Sequence, residues 1–183
     1  VVVNGTVVDA ANAQTLASWT FSAVPTLPMA STSASTDAST NATFNIQGFT
    51  TAPTFGFTSS TATIYANNWG QNQAWLFTMT PKAAITSGKV VSISYYGYGS
   101  STSPKNFVAE FSSDNTTWHQ MGDAIVYTSA MPSSPFVRTY TLTSAANSTV
   151  YFRIKCNSTT SIGDGTIASG GNSRLANVII TVQ

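Results

Sequence analysis

Six carboxylates, one histidine and one cysteine make a thin inventory for acid–base or nucleophilic chemistry. The acids are Asp9, Asp37, Glu110, Asp114, Asp123 and Asp164, scattered along 183 residues. Glycoside hydrolysis needs two carboxylates facing each other across a cleft. Asp114 and Asp123 flank turn sequences, where short acidic side chains serve the local backbone. Glu110 falls in mid-strand. His119 follows Trp118 after a hairpin and is expected to face solvent or to pack. No nucleophile-elbow sequence surrounds any serine. Cys156 continues the apolar face of Val150, Phe152 and Ile154, so it reads as a small buried hydrophobe and not as a reactive thiol. As the only cysteine it forms no intrachain disulfide. Metal-ligand spacing is lacking, with no His cluster and no Cys pair. A calcium site from Asp9, Asp123 or Asp164 with backbone carbonyls stays open, and no other cofactor is expected. Gly163-Asp164-Gly165 and Gly170-Gly171 lack the Lys and the following helix of a phosphate loop and read as turns. The expectation is a protein that is not an enzyme.

Binding chemistry is better represented. Trp69 stands in the polar run Asn67-Asn68-Trp69-Gly70-Gln71-Asn72-Gln73, and Tyr96 and Tyr98 alternate away from the face of Ile93 and Tyr95. Aromatic planes beside amides suit carbohydrate, since the rings stack on sugar faces and the amides reach hydroxyls. Trp69, Tyr96 and Tyr98 are therefore candidate carbohydrate-stacking residues. The alternative for Trp69, as for Trp75, is a cap on the edge of a β-sandwich.

The second option is assembly. Charged residues make up 7% of the chain, against about 25% in ordinary soluble domains. Sheet edges are usually guarded by charge, lysine above all, and the lysines are only Lys82, Lys89, Lys105 and Lys155. The apolar residues Val1, Val2, Val3, Val7 and Val8 form an extended N-terminal strand or arm able to add to a neighbour's sheet. A head-to-tail contact of that kind propagates into a filament unless it closes. Equally, the arm can pair within its own sandwich. Expected partners are thus copies of the chain or other surface proteins, with glycans as the alternative. A net charge of +1 gives no field to draw in nucleic acid. No apolar stretch is long enough to span a membrane.

These residues need a scaffold, and the pattern is all-β. No window keeps helical apolar periodicity. Val91, Ile93 and Tyr95 share one strand face; Phe107, Ala109 and Phe111 share another. Val150 to Cys156 alternates, as do Val178, Ile180 and Val182. Weaker strands are expected near Leu16–Phe21, twice within Phe44–Ile64, and at Ala74–Met79, Thr117–Gly122, Ala124–Tyr127 and Val137–Leu142. Pro25 to Thr43 reads as an exposed loop with one short edge strand, and Gly97 to Ser100 as a flexible loop. Roughly ten strands at this spacing predict a two-sheet antiparallel β-sandwich. The arm covers 1–15 and a single sandwich domain 16–183.

From about Trp69 onward the chain resembles a broad family of secreted jelly-roll modules found in surface and exported proteins of Bacteroidetes and related bacteria. The resemblance lies in Trp75-Leu76-Phe77-Thr78, in Val91 to Ser100, in Asn106 to Trp118 and in Ser173-Arg174-Leu175-Ala176-Asn177-Val178. Relatives often carry Asp where this chain has Ala176, and Gly where it has Asn115. The resemblance implies a jelly-roll sandwich of mostly non-catalytic kind. Five sequons, at Asn4, Asn41, Asn115, Asn147 and Asn157, and the opening Val1-Val2-Val3, which suggests a processed product, fit a secreted, extracellular protein at the cell surface. The leading expectation is a structural or adhesive subunit that self-assembles through its first strand. The alternative is a carbohydrate-binding module.

Overall fold

A computed structural model describes residues 2–3, 6–7 and 12–183. Its strands are β1 (Val2–Val3), β2 (Thr6–Val7), β3 (Gln14–Trp19), β4 (Met29–Ala30), β5 (Ser39–Gln47), β6 (Phe55–Thr58), β7 (Thr63–Ala66) and β8 (Ala74–Pro81). There follow β9 (Val90–Gly99), β10 (Asn106–Ser112), β11 (His119–Gln120), β12 (Ile125–Val126), β13 (Phe136–Thr141), β14 (Val150–Cys156) and β15 (Ser173–Val182). No α-helix is present among the described residues. One sheet runs β11-β10-β14-β8-β5-β4, with β12 also on β10; the other runs β13-β9-β15-β7-β6, with β3 also on β15. Every pairing is antiparallel. The chain is an all-β, two-sheet sandwich of jelly-roll type.

Strand register builds the core. Phe44, Phe77, Phe152 and Phe111 stand opposite one another across four strands of the first sheet. Ala17, Ile180 and Ile93 do so across the second. The two layers meet where Trp19 packs on Phe77, with ring centroids 5.0 Å apart. Each ring buried this way contributes about 1.5–3 kcal/mol. Cys156 lies in this core, and burial pushes its thiol up to about 11, which suits packing and not nucleophilic chemistry.

The structure departs from the sequence reading at three places. β5 starts at Ser39, inside the stretch expected to be a loop, although β4 is the short edge strand anticipated there. The run Ser39-Thr40-Asn41 carries no apolar signal, and the left-handed Asn41 (φ 53°) marks a register shift. Strand β9 continues through Gly97 and Gly99 instead of ending in a loop. These glycines leave room for neighbours: a Cβ at Gly97 would lie 2.3 Å from the Tyr127 ring, and one at Gly99 2.0 Å from Ser103 Oγ. Thirdly, the strand expected over 117–122 is only two residues long.

At the N-terminus only part of the expected arm is described. Val2 and Val3 pair with Val7 and Thr6 of the same chain. Among the described residues, β1 and β2 pair with neither sheet of the sandwich. Val1, Val8, Asn4 and Asp9 lie outside the described residues. The sandwich itself opens at Gln14, opposite Val182, just ahead of the expected boundary at 16.

Candidate functional site

Strand alternation on the first sheet sends one set of side chains inward and the other to its outer surface. Since Val150, Phe152, Ile154 and Cys156 are buried, Tyr151, Arg153 and Lys155 must face out. The register then aligns three outer rows. Thr43, Thr78, Tyr151 and Ser112 form one; Asn45, Leu76, Arg153, Glu110 and Gln120 the second; Gln47, Ala74, Lys155 and Val108 the third.

The middle of this surface is charged and interlocked. Arg153 Nε donates to Glu110 Oε2 at 2.5 Å, and Lys155 Nζ lies 2.8 Å from Glu110 Oε1. Arg153 Nη1 donates to Gln47 Oε1 at 3.0 Å. The Arg153 guanidinium lies 3.8 Å from the centroid of the Trp118 ring, a cation–π contact. Side-chain exposure is 10% for Glu110, 14% for Arg153 and 19% for Lys155. Trp118, Tyr151, Leu76, Asn45 and Gln47 are each half-buried. The arrangement offers two aromatic rings, two amides and a fixed fork of donors on one sheet surface. That set can stack on a ring and hydrogen-bond its hydroxyls.

Trp118 is held by the turn that precedes it. Asp114 Oδ1 accepts from the backbone N–H groups of Thr117 (2.7 Å) and Thr116 (2.8 Å) and from Ser112 Oγ (2.9 Å). Asn115 takes the left-handed conformation (φ 61°). The Thr117 and Thr116 backbone bonds hold the Asp114 carboxyl well below the usual carboxylate range. A depressed folded value makes this contribution present above the unfolded value of about 3.9 and lost as pH falls through the folded one. A carboxyl-carbon NMR titration is therefore expected to show Asp114 still ionised at about pH 3. A midpoint at the ordinary value would mean the turn is open in solution.

Of the aromatics singled out from sequence, Tyr96 and Tyr98 alternate onto the outer face of β9, while Trp69 turns into the core. Trp69 is 4% exposed, so its expected role as a sugar platform is corrected: the ring is core. It packs edge-on against Trp75 (4.8 Å), Phe49 (5.0 Å) and Phe107 (5.5 Å), and its Nε1 donates to Ala66 O at 2.8 Å. The surrounding amides serve backbone, that of the loop itself and that of the neighbouring segment before β6. Asn67 Oδ1 accepts from Thr54 N at 2.7 Å, Asn68 Nδ2 donates to Ala52 O at 3.1 Å, and Gln73 Oε1 accepts from Gly70 N at 2.6 Å. Tyr98 is 6% exposed and is corrected likewise. Its hydroxyl lies 3.3 Å from Thr63 Oγ1 and 3.4 Å from Thr61 Oγ1, with Arg174 5.4 Å from its ring. Tyr96 is half-buried on the outer surface of the second sheet. It lines a cavity of about 270 Å³ with Phe21, Met131 and Asn177.

Of the remaining candidates, His119 is exposed and stacks on Tyr140 at 5.0 Å. Asp164 forms an ion pair with Lys105, and Asp123 is exposed, its backbone carbonyl accepting from Arg138 Nε at 2.7 Å. Among the described residues no group of three or more His, Cys, Asp or Glu side chains comes together. Among the described residues no helix is long and apolar enough to cross a membrane.

No family model matches the chain, and no curated protein matches it. Solved structures do. A CBM4 structure aligns at 15% identity and a TM-score of 0.54, covering 77% of this chain and 87% of that one. The CBM22-1 xylan-binding domain of Xyn10C from Paenibacillus barcinonensis aligns at 14% identity and 0.48, over 76% and 85%. The xylan-binding module CBM15 aligns at 12% identity and 0.47, over 79% and 92%. At such identities the likeness is one of fold.

Proposed function

We propose that this chain is an extracellular, non-catalytic glycan-binding module whose site is the outer surface of β5, β8, β14 and β10. One observation carries the reading: four strands distant in sequence align Asn45, Leu76, Arg153 and Glu110 in a single row, with Trp118 laid over Arg153. A mere sheet exterior has no need of a tryptophan and an ion-paired carboxylate in a chain where charge is this scarce. The open surface suits a polymer lying across the strands. The fold likeness to a CBM4 structure supports the same reading. That likeness favours glycan binding over self-assembly, which led the sequence reading.

Affinity electrophoresis against a panel of plant and microbial polysaccharides tests it, with Trp118→Ala and Tyr151→Ala alongside. Each substitution is expected to weaken retention about tenfold, the loss of one stacking ring. The half-buried rings cost only about 1 kcal/mol of stability when removed. Retention untouched by both substitutions would place glycan binding elsewhere or remove it.

A further inference from the structure

We infer that this surface selects an anionic glycan, its charge carried by uronate carboxylates or by sulfate groups. The inference rests on the glycan-binding reading above and concerns which glycans that site takes. The chain has seven Lys and Arg residues, and two of them, Arg153 and Lys155, share one face of one strand by alternation. A single carboxylate answers both. Each Glu110 oxygen is already engaged, Oε2 by Arg153 and Oε1 by Lys155. The cluster therefore carries a net charge of +1. The whole chain has no field to steer a polyanion, so the selection is local.

No other carboxylate among the described residues pairs with these cations. Asp164 pairs with Lys105, Asp114 is bound into its own turn, Asp123 is exposed, and Asp37 lies beside Lys82, whose Nζ donates to its carbonyl at 2.6 Å. Arg153 spends Nη1 on the neutral Gln47. Its Nη2 has no acceptor among the described residues, and the Lys155 ammonium keeps N–H donors beyond the one facing Glu110. The Trp118 ring offsets part of the excess charge from one face of the guanidinium only. An uncompensated charge shielded to this degree is costly to the free protein. A planar guanidinium with an open edge, beside an ammonium, matches a carboxylate or sulfate oxygen pair better than a hydroxyl. The half-buried amides Asn45 and Gln47 and the rings of Tyr151 and Trp118 would meet the uncharged part of the sugar.

The test is affinity electrophoresis of the full chain and of Lys155→Gln. The probes are polygalacturonate, alginate, glucuronoxylan and chondroitin sulfate, each beside its carboxyl-reduced or desulfated counterpart. Lys155→Gln leaves Glu110 paired with Arg153, so the fold is retained, and thermal melting checks this. Retention on a charged polymer is expected to fall about tenfold when that polymer is neutralised, and about tenfold in Lys155→Gln. Whether the uronates or the sulfated polymer bind identifies the source of the charge. Equal retention of charged and neutralised partners would overturn charge selection while leaving the glycan-binding reading intact. Charged-polymer retention unchanged in Lys155→Gln would overturn the assignment to this cluster. Retention on none of these probes, beside retention on a neutral polysaccharide of the wider panel, would overturn the anionic selection alone; retention on neither set would remove both readings.

Discussion

Replacing Trp69 by alanine is expected to lower the free energy of unfolding by about 3–5 kcal/mol and to leave glycan retention by the folded chain unchanged. The ring fills the space between Phe49, Trp75 and Phe107, so its loss opens a cavity that a close-packed interior cannot collapse. It also strands the Ala66 carbonyl that accepts from its indole N–H. For a chain of this length that amounts to a drop in melting temperature of roughly 10 °C. Thermal denaturation with affinity electrophoresis below the transition separates the two roles. Lost retention at an unchanged melting temperature would return Trp69 to the surface as a stacking ring.

That residue shows where sequence reasoning stops. A tryptophan among asparagines and glutamines has the composition of a sugar site. The same composition also describes a loop whose amides tie up backbone, its own and that of the segment beside it, while the one large ring plugs the core. Asn68 and Asn72 take left-handed conformations, which asparagine tolerates better than most residues, so here the amides mark backbone geometry. By contrast, the inner strand faces were legible. Val91, Ile93 and Tyr95, then Val150 to Cys156, alternate along the chain itself, and that signal needs no knowledge of partners. The candidate site is of the other kind. Gln47, Leu76, Glu110, Trp118 and Arg153 become neighbours only through register across four strands, and no single window contains that register. Two local signals did exist. Tyr151, Arg153 and Lys155 must share a face once their neighbours are assigned inward. Glu110, between Ala109 and Phe111, is a rare charge in mid-strand that needs a partner.

Glu110→Gln carries the second large effect, and its sign differs between stability and binding. The amide keeps the shape but offers one acceptor where the carboxylate offers two. One of the two cations then faces an N–H₂ group, and Arg153 and Lys155 repel each other with nothing between them. Their limited exposure keeps water from screening them fully, so a loss of about 3 kcal/mol is expected. Urea denaturation should show the deficit growing as salt is lowered. Adding Lys155→Gln should restore part of it, because one cation without a carboxylate is less costly than two. Where the folded single variant persists, its surface carries +2 in place of +1, and retention on an anionic polymer should rise relative to the parent. A stability change within about 0.5 kcal/mol would mean that water, and not Glu110, compensates these cations. The shielded excess of charge, which is the ground for expecting an anionic glycan, would then be gone.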